Sequence, residues 1–432
     1  MITKEIIDHI EGEASIYFDM KEEKVDFASI VFPHFRGMEH MLEGKSALDA
    51  LVITPRVCGI CGHSHLMATV RALEDAYKNS GYEVQLTEKV KKIRELTLIL
   101  EIIQNHFKWI YMVVMPQLNK LTKGQTHTTP LKGAYAASLA TKALAVLAGQ
   151  WPHSSYMIPG GVTCDPTYID LMQLKSHIEK LITFYEEESI GTSLQEFIAL
   201  ESCKDLGNNL SDISNLEKSL ITLQMHKKGL AHDNFIVIGE HSFSKKAKLK
   251  GTRIAGVDIS SVVTENAYTI SETSYAKNAL YKGSYYEVGP FARLMSQNVK
   301  LIKNMHRRYK DSAYTRVMAR IYEVGYLLNH TLDLVNSIDI TEPSLTTLPN
   351  IQNITAHSLG VVEAPRGPLI HQIIINKGII KKYTIITPTQ WNLSSGPKSN
   401  LSPAQQAMIG LSKEEAEFIF RTFDVCSVCT TH

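Results

Sequence analysis

The sequence predicts a mainly helical protein with small peripheral β-sheets, an α+β fold that occupies residues 1–432 as a single large domain. Long segments carry apolar residues at three- and four-residue spacing, which is the pattern of amphipathic helices, whereas segments with strict alternation are short. No repeat and no linker rich in proline, glycine or serine divides the chain. The clearest helix is expected from Thr87 to about residue 118, with Thr87 as its N-cap.

The remaining elements are predicted from the same periodicities and from turn signals. Further helices are expected near residues 133–149, 166–200, 211–229, 291–308, 313–336 and 403–421, the last capped by Ser402 with Pro403 at its first position. Strands are expected at 14–19 and 26–32, near 234–238 and 252–259, and between 358 and 386, where two arms flank the turn Asn376-Lys377-Gly378. Helices therefore dominate, and the strands pair with close neighbours in the chain.

Composition excludes several classes of protein. The 45 basic and 44 acidic side chains give a net charge of +1, so no bulk attraction to nucleic acid or to an anionic membrane is expected. Mean hydropathy is −0.08, and the sequence has no run of about 18 uncharged apolar residues, so no membrane span is predicted. The N-terminal segment is charged and lacks the apolar stretch of a secretory signal. We therefore expect a cytoplasmic protein, unless a partner exports it or attaches it to a membrane.

Four of the six cysteines form two CxxC pairs, and these pairs point to metal chemistry. Cys58 and Cys61 lie in TPRVCGICGHSH, whereas Cys426 and Cys429 lie in FDVCSVCTTH at the other end of the chain. Four thiolates suit a soft or borderline metal such as zinc, iron or nickel. A structural zinc site and a redox-active CxxC pair are alternative interpretations at this point. The wide separation of the two pairs favours a buried functional metal centre over a zinc finger or ribbon.

The two cysteine motifs, their order and the terminal His432 resemble the large subunit of [NiFe] hydrogenases. Further segments match in the same order, namely HIEG at 9–12, FRGME at 35–39, WPHSSYMIPGG at 151–161, EAPRG at 363–367 and PTQWN at 388–392. The resemblance covers nearly the whole chain, although no motif matches between about 200 and 350. It implies the [NiFe]-hydrogenase large-subunit fold, with a metal site formed by both ends of the chain.

The resemblance implies a nickel–iron centre. Cys58, Cys61, Cys426 and Cys429 would bind nickel, and the second member of each pair would also bridge to an iron that carries carbon monoxide and cyanide. His65 would donate a hydrogen bond to a bridging sulfur and so tune it. An ordinary histidine at the start of a helix is the alternative interpretation of His65.

Three further side chains take catalytic roles by the same resemblance. Glu11, in HIEG, would carry protons between a nickel-bound thiolate, Cys429 in our prediction, and the surface. Arg366, in EAPRG, would place its guanidinium over the metals, and Asp424 would hold it there. Without the resemblance, Glu11 would be interpreted as a solvated carboxylate and Arg366 as an ion-pair partner of Glu363 or Asp424.

A second metal site is implied near the C-terminus. Glu39 and His432 would hold a magnesium ion, with the main-chain carbonyl of Ile386 as the third protein ligand and water completing the shell. Ile386 is placed only by its distance from the PTQWN segment.

Three positions depart from the family's pattern. Val425 replaces a proline in the C-terminal motif, which affects the stiffness of the turn and not metal binding. Asn105 stands where some members carry an acidic residue, and Gln390 stands where a serine or threonine usually contacts cyanide. The Gln390 amide can donate the same hydrogen bond. Family precursors carry an extension after the terminal histidine, so a chain that ends at His432 is expected to be the mature form or one encoded without an extension.

The predicted reaction is the reversible heterolytic cleavage of H2 into protons and electrons by a nickel–iron hydrogenase. The remaining cysteines, Cys164 and Cys203, are isolated and expected to be buried thiols, so they cannot supply an iron–sulfur relay. An iron–sulfur small subunit is therefore the expected partner. The pair would form a heterodimer, and such heterodimers could assemble further into a homo-oligomer.

Two alternatives come from other functional classes. A hydrogen sensor would use the same centre to signal to a kinase, and the bulky Ile60 between the first two cysteines is compatible with that function. A gene that encodes no C-terminal extension would favour the sensor. The quinone-site subunit of respiratory complex I shares the fold but lacks the four cysteines, so their presence argues against it.

Overall fold

The computed structural model describes residues 2–8, 10–124, 129–202, 210–250 and 253–432. Over these ranges many more residues lie in helices than in strands, and the sheets are small and antiparallel, as the periodicity predicts. No helix in the described ranges is both long and apolar enough to cross a membrane.

The α-helices of the described chain are numbered in sequence order. They are α1 (Met38–Leu42), α2 (Ala50–Ile53), α3 (Gly62–Asn79), α4 (Glu88–Lys108), α5 (Met115–Leu121), α6 (Pro130–Ala148), α7 (Tyr168–Phe184), α8 (Leu194–Ile198), α9 (Asp212–Thr222), α10 (Pro290–Ser296), α11 (Lys300–Tyr309), α12 (Ala313–Asn336), α13 (Pro388–Asn392), α14 (Pro403–Met408), α15 (Lys413–Thr422) and α16 (Ser427–Thr430). The predicted caps are confirmed at two of them. The Thr87 side chain accepts the Val90 N–H at the start of α4, and Ser402 caps α14 ahead of Pro403.

Helices α4 and α12 lie at the centre of the helical part. α4 buries its predicted apolar stripe and continues through the π-helical segment Trp109–Val114 into α5. α12 has the bounds predicted from the sequence and packs against α4, α7 and α10. One cluster of buried apolar side chains extends from Ile7 to Val425. The single-domain organisation stays a prediction.

The strands form five sheets in the described ranges. They are β1 (Ile2–Ile7), β2 (Ala14–Lys21), β3 (Lys24–Val31), β4 (Met157–Ile158), β5 (Gly161–Val162), β6 (Asn234–Val237), β7 (Ala247–Lys250), β8 (Arg253–Ala255), β9 (Val262–Asn266), β10 (Lys277–Tyr281), β11 (Ala356–Ala364), β12 (Gly367–Asn376) and β13 (Ile379–Ile386). The sheet orders are β1-β2-β3, β4-β5, β6-β7-β8, β9-β10 and β11-β12-β13. Both predicted hairpins are therefore confirmed, and each gains a third strand. The turn between β12 and β13 has φ of 48° at Lys377 and 74° at Gly378, as a tight hairpin turn requires.

Two predicted helices are wrong as single elements. The segment 291–308 forms α10 and α11, which are separated at Asn298, where φ is 60°. The segment 403–421 forms α14 and α15, because Gly410 has φ of 79° and Ser412 caps a new helix. In each case a residue in the left-handed region follows the first helix, and apolar periodicity alone does not reveal such an ending.

Two other predicted elements differ in extent from the structure. The segment 166–200 contains α7, a π-helical stretch at Tyr185–Ile190 and α8, with Gly191 at φ of 68° before α8. The strand expected at 252–259 stops at Ala255 as β8, and the next strand belongs to another sheet. Local periodicity does not show where a sheet ends, since the pairing partner decides it.

The packing of α3 on the sheet β11-β12-β13 supports the metal site. Gly360 of β11 approaches α3 so closely that a Cβ there would lie 2.0 Å from the carbonyl oxygen of Ala68, so only glycine fits. Cys61 is the N-cap of α3, and Arg366 lies in the turn between β11 and β12. The C-terminal helix α16 packs against α13. Three separate parts of the chain therefore contribute to one site.

Candidate metal centre

The four cysteines of the two CxxC pairs come together in one buried group, as predicted. Their sulfur atoms all lie within 4.8 Å of one another. Cys58 Sγ is 3.6 Å from Cys426 Sγ, and Cys61 Sγ is 3.2 Å from Cys429 Sγ. Each of these side chains is at most 5% exposed. The two ends of the chain therefore form a single four-thiol site.

The first cysteine loop is shaped by its own main chain. Cys58 Sγ accepts the N–H of Ile60 at 3.4 Å and the N–H of Cys61 at 3.2 Å. Helix α3 begins at Gly62, where a Cβ would lie 2.4 Å from the carbonyl oxygen of Pro55. Glycine is therefore required for the loop to turn directly from the second cysteine into the helix.

The second cysteine loop lies against the N-terminal segment. Glu11 and Cys426 pair as an isolated parallel β-bridge, and the Ser427 N–H donates to the Glu11 carbonyl oxygen at 2.8 Å. Gly12 has φ of 85°, and a Cβ there would lie 2.9 Å from a methyl carbon of Val428. The first residue of the HIEG segment, at position 9, lies outside the described residues. The remaining three place the N-terminus directly beside the C-terminal cysteines.

Arg36 joins the two cysteine loops. Its Nη1 donates to the Val57 carbonyl oxygen, just before the first pair, and to the Val428 carbonyl oxygen at 3.2 Å, just before Cys429. Its main-chain N–H also donates to the Thr431 carbonyl oxygen at 2.9 Å. One side chain thus holds the peptides that carry the two pairs at a fixed separation.

The electrostatics of the group favour a bound cation. Burial opposes ionisation of Cys426, yet the neighbouring thiols and then Arg366 hold its pKa well below the ordinary value. Burial raises the pKa of Cys61 and of Cys429 well above the ordinary value. Four sulfurs at this spacing cannot all ionise beside one another unless positive charge lies between them. A thiolate-binding metal supplies that charge.

The Glu11 carboxyl group lies beside the first cysteine loop. A Cβ on Gly59 would be 3.2 Å from Glu11 Oε1. Burial, and then the negative charge of Cys58, raise the pKa of Glu11 above its ordinary value. Glu11, Ile60 and Arg366 line a cavity of about 310 Å³. A carboxyl group at this position can accept a proton from a cysteine of the site and release it into the cavity.

Arg366 pairs with Asp424 and not with Glu363. Arg366 Nη2 is 3.1 Å from Asp424 Oδ1, and its Nε donates to the Asp424 carbonyl oxygen at 2.8 Å. The Asn105 amide joins the two, since it accepts from Arg366 at 2.9 Å and donates to Asp424 at 2.8 Å. Glu363 instead pairs with Arg293 at 3.2 Å. The departure at Asn105 therefore leaves Asp424 as the one carboxylate that orients Arg366.

The guanidinium of Arg366 keeps one donor unused. Burial disfavours its charge, but Asp424 and then the cysteine thiolates raise the pKa of Arg366 well above the ordinary value. Its Nη1 is buried without a hydrogen-bond partner among the residues that the structure describes. An unused charged donor next to four thiols is suited to an acceptor that is bound at the metals.

Gln390 makes a hydrogen bond at the start of its own helix through its amide oxygen. Its Oε1 accepts the Thr387 N–H at 2.8 Å and so caps α13. The hydroxyl of Thr389, one residue earlier, is buried without a partner on the same helix. Because α13 packs against α16, Thr389 is a further candidate for the polar contact that we expected of Gln390, and that contact by the Gln390 amide N–H groups stays a prediction.

His65 lies one turn after Cys61, buried at the start of α3. Its Nδ1 is 3.1 Å from Nε2 of His371 in β12, and Nδ1 of His371 is 2.8 Å from the Tyr383 hydroxyl. Burial lowers the pKa of His65 to about 4, and it lowers the pKa of His371 well below the ordinary value. Both rings are therefore neutral at physiological pH.

The residues predicted to hold magnesium also meet. Glu39 Oε1 is 3.5 Å from His432 Nε2 and accepts the Ile385 N–H at 2.7 Å. The carbonyl oxygen next to His432 Nε2, at 2.7 Å, is that of Ile385, one residue before the predicted Ile386. Burial raises the pKa of Glu39, but the contact with His432 outweighs it, so the pKa is lowered overall. The role of Ile386 stays a prediction.

Three side chains that support the cysteine loops were missed in the sequence: Arg36, Glu101 and His371. Glu101 of α4 accepts the N–H groups of His63 and Ser64, each at 2.9 Å, and so caps α3 from another helix. Glu101 and His371 interrupt the apolar runs LILEII and LIHQIII. A polar residue inside an apolar run was the available signal, since burial of such a group demands a partner.

Comparisons with known proteins agree with this geometry. The model of a family described as nickel-dependent hydrogenase matches residues 36–115 and 131–432. The chain is 26% identical to sulfhydrogenase 2 subunit alpha of Pyrococcus furiosus, over 98% of this chain and 96% of that protein. It is 25% identical to the periplasmic [NiFeSe] hydrogenase large subunit of Desulfomicrobium baculatum, over 98% and 93% of the two chains. The fold matches the Ni-Fe-Se hydrogenase from D. vulgaris Hildenborough with a TM-score of 0.82 at 20% identity, over the whole of both chains. Because the matched residues make up most of the sequence and include all four clustered cysteines, the chain belongs to the nickel-dependent hydrogenase family.

Proposed function

We propose that this chain is the catalytic large subunit of a [NiFe] hydrogenase, which interconverts H2 with protons and electrons. Membership of the nickel-dependent hydrogenase family confirms the predicted enzyme class, an oxidoreductase that acts on H2. The single observation that carries the site assignment is the buried group of four thiols within 4.8 Å of one another.

The residues present fit a nickel–iron centre. Four thiolates form a soft donor set, which suits nickel and iron. Cys58, Cys61, Cys426 and Cys429 would hold the nickel, and Cys61 and Cys429, whose sulfurs are 3.2 Å apart, would also hold the iron. The unpaired Arg366 Nη1 and Thr389 hydroxyl fit small polar ligands, such as cyanide, on an iron. When bound, the centre would supply the redox chemistry of H2 cleavage.

The chain's own residues move the proton. Glu11 is the acceptor on the exit path, because its carboxyl group lies beside the first cysteine loop and its pKa is raised by burial and by Cys58. Cys429 stays the predicted thiolate that hands the proton on, and the pairing of the Glu11 main chain with Cys426 brings the second cysteine pair beside the segment that carries Glu11. Arg366, held by Asp424 and Asn105, keeps a positive charge over the thiolates.

A magnesium ion at the C-terminus belongs to the same proposal. Glu39, His432 and Ile385 line a cavity of about 290 Å³, and the carboxylate and the imidazole are available as ligands on its wall. A hard cation with few protein ligands and several waters would fit there. Such an ion would fix the terminal residue, whose Nδ1 lies 2.7 Å from the Cys429 carbonyl oxygen.

The electrons require a partner. In the part of the chain that the structure describes, the four-thiol group is the one place where three or more histidine, cysteine or acidic side chains lie close enough together to hold a metal. Cys164 is half-buried and lies outside this cluster, whereas Cys203 lies outside the described residues. An iron–sulfur small subunit would therefore carry the electrons away. A heterodimer, its further homo-oligomerisation and a cytoplasmic location complete the proposal.

Elemental analysis with infrared spectroscopy tests the centre. We expect one nickel and one iron per chain, together with the stretching bands of carbon monoxide and cyanide. Stoichiometric zinc without nickel would contradict the proposal. Co-purification of an iron–sulfur subunit tests the partner, and full dye reduction by the isolated chain would count decisively against it. High hydrogen turnover would distinguish the enzyme from the sensor alternative.

A further inference from the structure

We propose that His371, supported by Tyr383, is a positioning residue that fixes the tautomer of His65 and so directs a ring N–H of His65 at a cysteine sulfur of the metal centre. The inference rests on the proposed function, because it gives His371 a role at that centre. His371 lies outside every motif that the sequence analysis used.

The contact between the two imidazoles couples their tautomers. His65 Nδ1 and His371 Nε2 are 3.1 Å apart, and the residues are 1% and 0% exposed. Each neutral ring carries one N–H, so this contact contains a single proton. If His371 Nε2 holds that proton, His65 carries its own on Nε2, on the side away from His371. If His65 Nδ1 holds it, His65 Nε2 is a bare acceptor.

The surroundings at both ends favour the first arrangement. The Tyr383 hydroxyl lies 2.8 Å from His371 Nδ1 and can donate to it, whereas the Thr69 hydroxyl, 3.1 Å away, donates its one proton to the His65 carbonyl oxygen. His371 then keeps its proton on Nε2. At the other end His65 lies in the first turn of α3, and its main-chain N–H donates to the carbonyl oxygen of the N-cap Cys61 at 3.3 Å; an anionic sulfur beside the ring favours an N–H over a lone pair. Donation therefore runs from Tyr383 to His371, from His371 to His65, and from His65 to sulfur.

The network is made only of side chains on separate elements. His65 belongs to α3, His371 to β12 and Tyr383 to β13. The main-chain pairing of β12 with its neighbours is independent of the imidazole. Replacing the ring can therefore remove the donor while the strand ladder and the cysteine loops stay in place.

Two variants of the holoenzyme, purified with its partner, distinguish the loss of the hydrogen-bond donor from a change in side-chain shape at position 371. His371→Leu fills the space without a donor, whereas the amide of His371→Gln can again donate to His65 Nδ1. We expect His371→Leu to retain nickel and iron but to shift the carbonyl stretching band to lower wavenumber, because a sulfur without a donor gives more electron density to the iron. Turnover should fall about tenfold or more, as for other supports of metal ligands. His371→Gln should restore both properties towards the wild type, and Tyr383→Phe should shift the band in the same direction by a smaller amount.

The control is Tyr77→Phe, which removes a hydroxyl that donates to the Pro349 carbonyl oxygen near the C-terminal end of α3 and should leave the bands unchanged. An unshifted band in metal-loaded His371→Leu would overturn the inference. So would an equal shift in His371→Gln, or loss of metal from both variants, since either result would make the residue structural. Absence of nickel, iron and these bands from the wild type would instead defeat the proposed function on which the inference rests.

Discussion

The main chains of Glu11 and Cys426 lie side by side as a parallel β-bridge, although these residues belong to opposite ends of the sequence. The bridge is closed by the Ser427 N–H, which donates to the Glu11 carbonyl oxygen at 2.8 Å. Because main-chain atoms make this contact, a change of the Glu11 side chain leaves the junction of the two termini in place. The role of the carboxyl group can therefore be tested separately from the fold.

Glu11→Gln should abolish most hydrogen turnover while metal content stays at the wild-type level. The amide keeps the size and much of the hydrogen bonding of glutamate but cannot carry a proton, whereas a relay needs a titratable group within hydrogen-bond reach. Glu11→Asp, which is one methylene shorter, should retain part of the activity. A hydrogen-uptake assay with nickel and iron analysis measures both effects.

The matched control is Glu13→Gln, because Glu13 is exposed and its carboxylate contacts the equally exposed His34 at 2.6 Å. Its turnover should be unchanged. Wild-type turnover in metal-loaded Glu11→Gln would place the proton exit elsewhere, and loss of nickel would make Glu11 structural.

Hydrogen oxidation should depend on a group that titrates above the ordinary range of glutamate. Burial and the charge of Cys58 raise the pKa of Glu11 above 4.5, so the proton-accepting carboxylate is lost at a higher pH than for a free side chain. Turnover in the oxidation direction should therefore begin to fall on acidification while ordinary glutamates are still ionised. The acid limb of the pH profile measures this, with circular dichroism to confirm that the fold persists. The same limb in the residual activity of Glu11→Gln would assign it to another group.

Arg36→Gln should loosen the junction of the two cysteine loops. The guanidinium donates to the carbonyl oxygens of Val57 and Val428, and the shorter neutral side chain cannot reach both. We expect a free energy of unfolding lower by about 1–2 kcal/mol for the lost hydrogen bonds, together with faster loss of nickel to a chelator. Arg36→Lys keeps the positive charge but loses the forked guanidinium. Its free energy of unfolding and its rate of nickel loss should lie between those of the wild type and Arg36→Gln.

Arg307→Gln is the control for that variant, since Arg307 is exposed and contacts Asn304 within its own helix. Denaturant unfolding and timed nickel release compare the three proteins. Equal nickel release from Arg36→Gln and from the wild type would show that the two loops hold their separation without Arg36.

The sequence predicts those features of the site that depend on residue type and local spacing. The two CxxC pairs, the Thr87 cap and the turn at Lys377 and Gly378 are local signals, and all of them are found as expected. The whole extent of α12 also follows from its own periodicity. These features need no knowledge of which distant segments pack together.

The supports of the site could not be predicted in the same way. Arg36, Glu101 and His371 act on segments that are remote in sequence, and only the packing of α3 on α4 and on β11-β12 brings their partners within reach. The helix breaks at Asn298 and Gly410 arise where the main chain enters the left-handed region. The apolar periodicity from which these helices were predicted does not show such a break. Tertiary contacts therefore decide the supporting residues, while the ligands themselves are encoded locally.

Glu101→Gln should destabilise the start of α3, and with it the loop that ends at Cys61. The carboxylate accepts the N–H groups of His63 and Ser64, each at 2.9 Å, and also the Ser64 hydroxyl at 2.5 Å. An amide has one acceptor oxygen and turns its own N–H groups towards these donors, so at least one buried donor loses its partner. The expected loss is about 1–3 kcal/mol in the free energy of unfolding. Glu88→Gln on the same helix is the control, because Glu88 is exposed and pairs with the exposed Lys91 at 2.6 Å. Its effect on the free energy of unfolding should stay within about 0.5 kcal/mol. If both variants unfolded at the same denaturant concentration as the wild type, α3 would be held by its packing on the sheet and not by the cap from α4.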